Sequence, residues 1–509
     1  MTPNPSINID FFKTPGFLDP RITFSRASNA TYVGKSGTIV TAATDQPRFE
    51  YSSSNGMYLG VLNEKQRVNY IIQSENFSTT WAATNITVSN NSTSAPDGNF
   101  TADLLIEGVA NTALMTQSAT VLTANLGAGS VFLKSGPNSG TSWVKLFVSG
   151  AGAANGAAAW FNLNTGALGS NSIIGGGAQP IAAIDTYADG WYRCRISANC
   201  PGETGLSLSF HSASADGSNT RVANSTYFAW GGQLENERTG TSYIPTTTST
   251  ATRASERMSI EGANFTSVYN TSTYEGTVLV SFILPNTVSL DDTNKDIMGF
   301  SQSNAFARGS LYINSTNSSN FWTLLGTSTS IGSSVVAGNN NIAFSYSGPK
   351  GTFAYRNGSI SSGSNINFFK NVTANTTGVN ATDDTIILTS ANGFFTAGDK
   401  LFYTVPTGNT PIGGLSGNTN YYVSFTNSTV FALSTTSGGA NINLTEARTT
   451  TPGETHTFNM AQLRTVERFY IGALWAWTST GSGLNGHFKR FAYFPVALSN
   501  TQGIYVTSI

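Results

Sequence analysis

Short runs in which apolar and polar residues alternate, or in which apolar residues follow one another without a break, set the pattern of this chain. Trp143-Val-Lys-Leu-Phe-Val148 alternates, Thr277-Val-Leu-Val-Ser-Phe-Ile-Leu284 is nearly continuous, and Phe488-Lys-Arg-Phe-Ala-Tyr-Phe494 has the same character. A period of two is the signature of a strand with one face turned to a core. No run of ten or more residues carries apolar positions at the spacing of a helix. Between the runs stand Asn357-Gly358, Asn392-Gly393 and Asn485-Gly486, pairs that supply the positive φ of tight hairpins. Tyr355-Arg-Asn-Gly-Ser359 reads as a two-residue hairpin. The pattern predicts an all-β chain of antiparallel sandwiches.

Shifts in the pattern divide the chain. Residues 1–245 read as a first sandwich, from the strand Ile7-Asn-Ile-Asp-Phe-Phe12 to a central strand at Tyr227-Phe-Ala-Trp-Gly-Gly-Gln-Leu-Glu235. Residues 246–255, rich in Thr and Ser, read as a polar linker. Residues 256–370 and 461–509 share one idiom and form a second sandwich. Between them, 371–460 changes style and holds five short strands around Ile386, Phe402, Val423, Phe431 and His456. It reads as a small β-domain inserted in a surface loop, where extra length costs little entropy.

Composition narrows the function. The 509 residues include 26 Lys and Arg against 27 Asp and Glu, a net charge of −1, and only 10% are charged. That removes the electrostatic route to nucleic acid or to an acidic membrane surface. A hydrophobic fraction of 39%, with 31 Phe, 19 Tyr and 8 Trp, is enough for packed cores. The N-terminus has no basic segment followed by an apolar one, and no run is long enough to span a bilayer, so neither a secretory leader nor membrane insertion is expected. The two cysteines, Cys194 and Cys200, do not make a disulfide scaffold and read as inert thiols.

Several stretches resemble a family of bacteriophage virion proteins. They are Leu18-Asp-Pro-Arg-Ile-Thr-Phe-Ser-Arg-Ala-Ser28, Pro47-Arg-Phe-Glu-Tyr51, Gln66-Arg-Val-Asn-Tyr70, and Gln73-Ser-Glu-Asn-Phe77 with Trp81. Ala95-Pro-Asp-Gly98, Gly190-Trp-Tyr-Arg193, Gly232-Gln-Leu-Glu235 and Tyr243-Ile-Pro-Thr246 with Thr252-Arg-Ala-Ser255 belong to the same set. Leu484-Asn-Gly-His-Phe-Lys-Arg-Phe-Ala-Tyr-Phe-Pro495 with Leu498-Ser-Asn500 resembles the closing strands of a concanavalin A-like, or laminin-G-like, jelly roll. The resemblance implies two jelly-roll sandwiches in series, the second interrupted by the inserted domain. It implies a structural and adhesive part of a phage particle, a tail fibre, head fibre or capsid decoration. The partners it implies are other virion proteins, two further copies in a homotrimer, and host-surface polysaccharide. It brings no active site and no cofactor, so the chain is expected not to be an enzyme.

Candidate chemistry is sparse. His211, His456 and His487 lie in different segments without zinc-ligand spacing. No nucleophile elbow stands between a strand and a helix. Glu235 and Glu237 share a strand face and Asp383 adjoins Asp384, but neither pair is framed by aromatics as a glycosidase pair would be. Asp292, Asn294 and Asp296 could offer alternate oxygens to Ca²⁺, although the loop lacks the EF-hand glycine and glutamate and contains Lys295. No metal site is expected from it, and a solvated polar loop is the plainer reading. Trp322, Trp475 and Trp477, with Tyr421 and Tyr422, have flat faces suited to sugar rings. Leu474-Trp-Ala-Trp477 puts both indoles on one side of a strand, which suits a glycan platform, although a core between sheets is the plainer reading. Trp160 and Trp230 read as core.

Overall fold

The computed structural model describes residues 3–150, 154–269, 275–285, 295–301, 307–313, 320–324, 327–330, 337–347, 351–360, 372–375, 378–387, 397–405, 408, 410–427, 430–445, 455–460, 466–472 and 483–509. The chain is all-β, built of antiparallel sheets stacked as sandwiches. Two short helices, Gly262–Thr266 and Asn500–Ser508, are the α-helices among the described residues.

A ten-stranded sheet holds most of residues 82–235. Its spine is three long strands, Leu114–Ser135, Trp191–Ala213 and Thr226–Glu235, and the last of these is central as its sequence predicts. Register breaks between Thr120 and Ala124 and between Ala124 and Leu126 bend the two longest strands. Bulges of this kind raise the local twist and turn a sheet back on itself. Both arms of Trp191–Ala213 therefore point into one core: Cys194 and Ile196 from the first arm share it with Leu206, Leu208 and Phe210 from the second.

The second sandwich stacks an eight-stranded sheet on a seven-stranded one. Val278, Val280, Phe282 and Phe491 of the first meet Met258, Met298 and Phe469 of the second. The hairpin at Asn357-Gly358 forms as expected, with φ of 45° and 77° at the two residues. Residues 372–460 make a separate seven-stranded sheet, with strands Val372–Asn375 and Val379–Asn380 in addition to the five legible in sequence. Its Leu401, Tyr403 and Phe458 join the same buried cluster as the sandwich.

Two boundaries differ from the sequence reading. Residues 1–245 are not one unit: Ile7–Asp10 and Tyr58–Asn63 both hydrogen-bond to Gly486–Phe494, and Thr23–Ser25 to Arg257–Glu261. The first seventy residues thus complete the second sandwich, because its sheets lack those strands. Residues 246–255 are not a solvated linker. Ala251–Arg253 pairs with Arg67–Asn69, and the Arg253 side chain is fully buried. Residues after Ser499 form a helix, Asn500–Ser508, an element not assigned from the sequence. Ser499 caps it, accepting from the Gln502 amide while the Gln502 side chain accepts from the Ser499 amide. The helix sets Val506 against Tyr355 and Phe494 on the outer face of the eight-stranded sheet.

Candidate functional site

Most of the stretches that resemble the phage family meet in space. Arg48, Arg26 and Arg253 lie in the interior with Glu256 and Glu64. The Glu256 carboxylate accepts from Arg48 Nε and Nη2 at 2.6 Å each, from Arg26 Nη1 at 2.9 Å and from the Glu64 amide at 2.9 Å. Glu64 lies 2.8 Å from Arg48 and 2.9 Å from Arg253 and accepts from the Ser242 hydroxyl at 2.7 Å. Burial opposes charge on Glu64, but Arg253 and Arg48 outweigh it and hold its carboxyl well below the usual range. Asn69 ties the neighbouring loops by donating to the carbonyls of Gly232 and Ile244 and accepting from the Leu234 amide. These arginines and carboxylates all come from segments that build the second sandwich and lock those segments together; they reach past it through Ser242, which accepts from Arg48 Nη1 at 2.7 Å and donates to Glu64.

Above that lattice is an open cleft of about 520 Å³. One wall is the face of the eight-stranded sheet turned away from its core, with Glu50, Leu62 and His487. The other is a hairpin of the ten-stranded sheet, strands Ala178–Thr186 and Trp191–Ala213 joined through Ala188–Gly190. Asp189 and Gly190 take φ of 57° and 76° there, which makes the turn tight. Tyr187 and Arg193, both buried, thereby line the inner part of the cleft, with Asp185 opposite Arg193 in register. Ser242 and Glu64 line the floor.

The charges in the cleft are matched. His487 Nε2 and Glu50 Oε2 are 2.6 Å apart, a contact spanning 437 positions, and the Val33 amide donates to the other Glu50 oxygen at 3.1 Å. Arg195 Nη2 and Nε each lie 2.9 Å from an oxygen of Asp185. Arg193 rests on the Phe132 ring, 5.4 Å from its centroid, and donates to the Ser130 hydroxyl. Burial pushes the Tyr187 phenol up, so it stays a neutral hydroxyl. Ser52, Ser53, Ser54, Thr239 and Thr241 add hydroxyls, and Tyr51 adds an aromatic ring tilted against Tyr58 with centroids 5.1 Å apart. Such a site offers fixed donors and acceptors beside flat apolar surface. It can hold a polyhydroxylated ligand without taking up net charge.

The residues singled out from sequence fall elsewhere. Trp322 lies in strand Asn320–Leu324 opposite Leu311, while Trp475 and Trp477 are outside the described residues. Tyr421 is buried in the inserted domain. Asp292 and Asn294 are outside the described residues; Asp296 is 2% exposed within a strand, so it is not a loop ligand for calcium. Among the described residues no three His, Cys, Asp or Glu side chains gather as a metal site. Glu235 is buried beside Arg67, which also pairs with Glu237, and Asp384 accepts from the Leu444 amide, so each carboxylate is tied into structure. His211 and His456 are buried, whereas His487 lines the cleft. Cys194 and Cys200 are free and buried in one strand; burial pushes the Cys200 thiol up to about 12. Trp160 and Trp230 are core, as read. The cleft was missed because its parts come from distant segments, although Glu50, Tyr51, Arg193 and His487 all sit in stretches marked by the family resemblance.

No family model and no curated protein matches the chain. Among solved structures it is similar to the Trypanosoma rangeli sialidase in complex with sialic acid, at 7% identity and a TM-score of 0.25 over 95% of this chain and 59% of that one. The chain thus spans about three fifths of the length of the sialidase structures it matches. The receptor-binding domain of botulinum neurotoxin type G is similar at 8% identity and a TM-score of 0.18, over 82% of this chain and 99% of that one. A secreted protein from Eubacterium rectale is similar at 10% identity and a TM-score of 0.16, over 96% and 99%. These matches correct the expectation that the chain is not an enzyme: sialidases are enzymes, and that exclusion does not stand. At such TM-scores the likeness carries no argument for any particular reaction.

Proposed function

We propose that this chain is a structural and adhesive component of a bacteriophage particle and that its cleft contacts host-surface glycans. The observation that carries the reading is the 520 Å³ cleft, lined by hydroxyls, a tyrosine ring and mutually paired charges. Sugars are recognised by just such a mixture of fixed hydrogen-bond partners and flat apolar surface. The stretches resembling phage virion proteins support the setting, since they build both the cleft and the ionic lattice beneath it. In a homotrimer each weak site would act in avidity with its neighbours.

The test is a glycan array probed with the whole chain, alongside Tyr51→Ala and His487→Ala variants and antibody labelling of particles. One class of bacterial surface polysaccharide is expected to be captured, with binding weakened about tenfold, or about 1.4 kcal/mol, by either variant. Capture that neither variant weakens overturns the cleft as the site. A chain that captures no glycan yet labels the particle surface is the decoration protein without a ligand.

A further inference from the structure

One charge in the cleft is matched differently from the others. Glu64 lies between Arg48 and Arg253, at 2.8 and 2.9 Å, and Glu50 lies 2.6 Å from His487. Asp185 stands opposite Arg193 in the strand register, yet both of its oxygens lie 2.9 Å from Arg195. The three carboxylates that line the cleft are therefore already engaged. Arg238, beyond Arg195, adds a further positive charge and donates to the side-chain oxygens of Gln179 and Asn199. Arg193 has no such partner. Among the described residues its guanidinium meets one hydroxyl and one ring, both neutral.

The sheet fixes that guanidinium in place. Arg193 is paired across the strands with Phe132 on one side and Asp185 on the other, so the three side chains share one face. The Phe132 centroid is 5.4 Å from the guanidinium carbon, and Tyr187 meets the same ring edge-on with centroids 5.1 Å apart. Ser130 Oγ accepts from Nε at 3.3 Å and from Nη2 at 3.1 Å. A guanidinium has five N–H donors, so donors remain on both Nη atoms. Together they make the end of the fork, the edge that takes a carboxylate through two parallel hydrogen bonds. Arg193 is only 6% exposed, and it lines the cleft. A cation held this far out of water without a counter-ion costs free energy, and the Phe132 ring offsets only part of that.

We infer that Arg193 is the anion-recognising group of the cleft and that the glycan bound there carries a carboxylate, as a uronic acid or a pyruvate ketal does. This rests on the glycan-binding reading and names the class of sugar. The carboxylate seats on the open end of the Arg193 fork, and the hydroxyls of the same sugar meet the serines and threonines of the walls. Arg195 does not take this part, because Asp185 already holds it. Ser130 and Phe132 orient the guanidinium before the ligand arrives, so little side-chain freedom is lost on binding.

The experiment prints bacterial polysaccharides in three forms: native, carboxyl-reduced so that each acid becomes an alcohol, and stripped of pyruvate ketals by mild acid. The whole natural chain and Arg193→Met are applied to each. The natural chain should bind an acidic polysaccharide about tenfold more tightly than its carboxyl-reduced form. Arg193→Met should remove that preference and leave the affinity for the reduced form unchanged. Loss of affinity after mild acid assigns the carboxylate to a ketal, and retention assigns it to a uronic acid. An unchanged melting temperature shows that the variant is folded, and the comparison of native with reduced polysaccharide on the natural chain decides the matter without it. Equal affinity for the two forms, a preference that survives Arg193→Met, or capture only of sulfate or phosphate esters each overturn the inference while leaving glycan binding in place. Capture of no polysaccharide in any form overturns the reading beneath it.

Discussion

Removing Glu256 tests whether the buried ionic lattice holds the segments of the second sandwich together. Its carboxylate is fully buried and accepts four N–H donors, two from Arg48, one from Arg26 and one from the Glu64 amide. Glu256→Ala leaves Arg26, Arg48 and Arg253 with Glu64 as the remaining carboxylate at the centre of the cluster. Breaking a buried pair by deleting one partner costs about 3–5 kcal/mol, because an uncompensated charge is left out of water. Arg26 retains the carbonyls of Ser28, Ala42 and Ala43, which offsets part of its loss, so a value of about 4 kcal/mol is expected. Urea unfolding followed by tryptophan fluorescence reads the change, and a double-mutant cycle with Arg48→Met isolates the pair. A coupling above about 2 kcal/mol is expected, unaltered by added salt because the pair is shielded from solvent ions. A loss below about 1 kcal/mol, or a coupling that disappears in salt, is the behaviour of a solvated surface pair and would refute the reasoning.

Two further outcomes follow from single positions. His211 is buried, and burial, reinforced by Arg221 and Lys145 and opposed by the Ser212 carbonyl, brings its pKa down to about 4. The unfolded chain takes up this proton near the ordinary value of 6.5, so stability is complete above pH 6.5 and declines as the pH falls toward 4, by roughly 3 kcal/mol in all. In His211→Gln the decline over that window should shrink by a similar amount; urea midpoints with the same pH dependence as the natural chain would refute it. Gly60 has a φ of 125°, and a Cβ there would lie 2.4 Å from the Phe488 carbonyl oxygen. Gly60→Ala should cost about 2–3 kcal/mol and loosen the strand that carries His487. A melting temperature equal to that of the natural chain would show that the contact relaxes freely.

The strands themselves were legible because a period of two and Asn-Gly turns are local properties. Thr277–Leu284, Trp143–Val148 and the hairpin at Asn357-Gly358 needed nothing beyond their own residues. The C-terminal helix, Asn500–Ser508, was not read from the sequence; the Ser499 and Gln502 spacing of its capping box was the local signal available. Partner choice was not legible. Alternation says which face of a strand is buried and nothing about which backbone lies beside it, since every strand offers the same amide and carbonyl ladder. That is why Ile7–Asp10 could be read as a strand but not placed beside Gly486–Phe494.

The candidate site depends wholly on such pairings. His487 and Glu50 meet because their strands lie in one sheet, and Asp185 meets Arg195 because a tight turn folds one strand onto the next. Arg253 reads as part of a polar linker until its carboxylate partner Glu64, nearly two hundred positions away, meets it in the interior. Local hydrophobic patterning is therefore what the amino-acid order determined by itself: strands, turns and the all-β class. The cleft, its paired charges and the lattice beneath it were decided by long-range packing, because burial and electrostatic matching belong to groups close in space rather than in the chain.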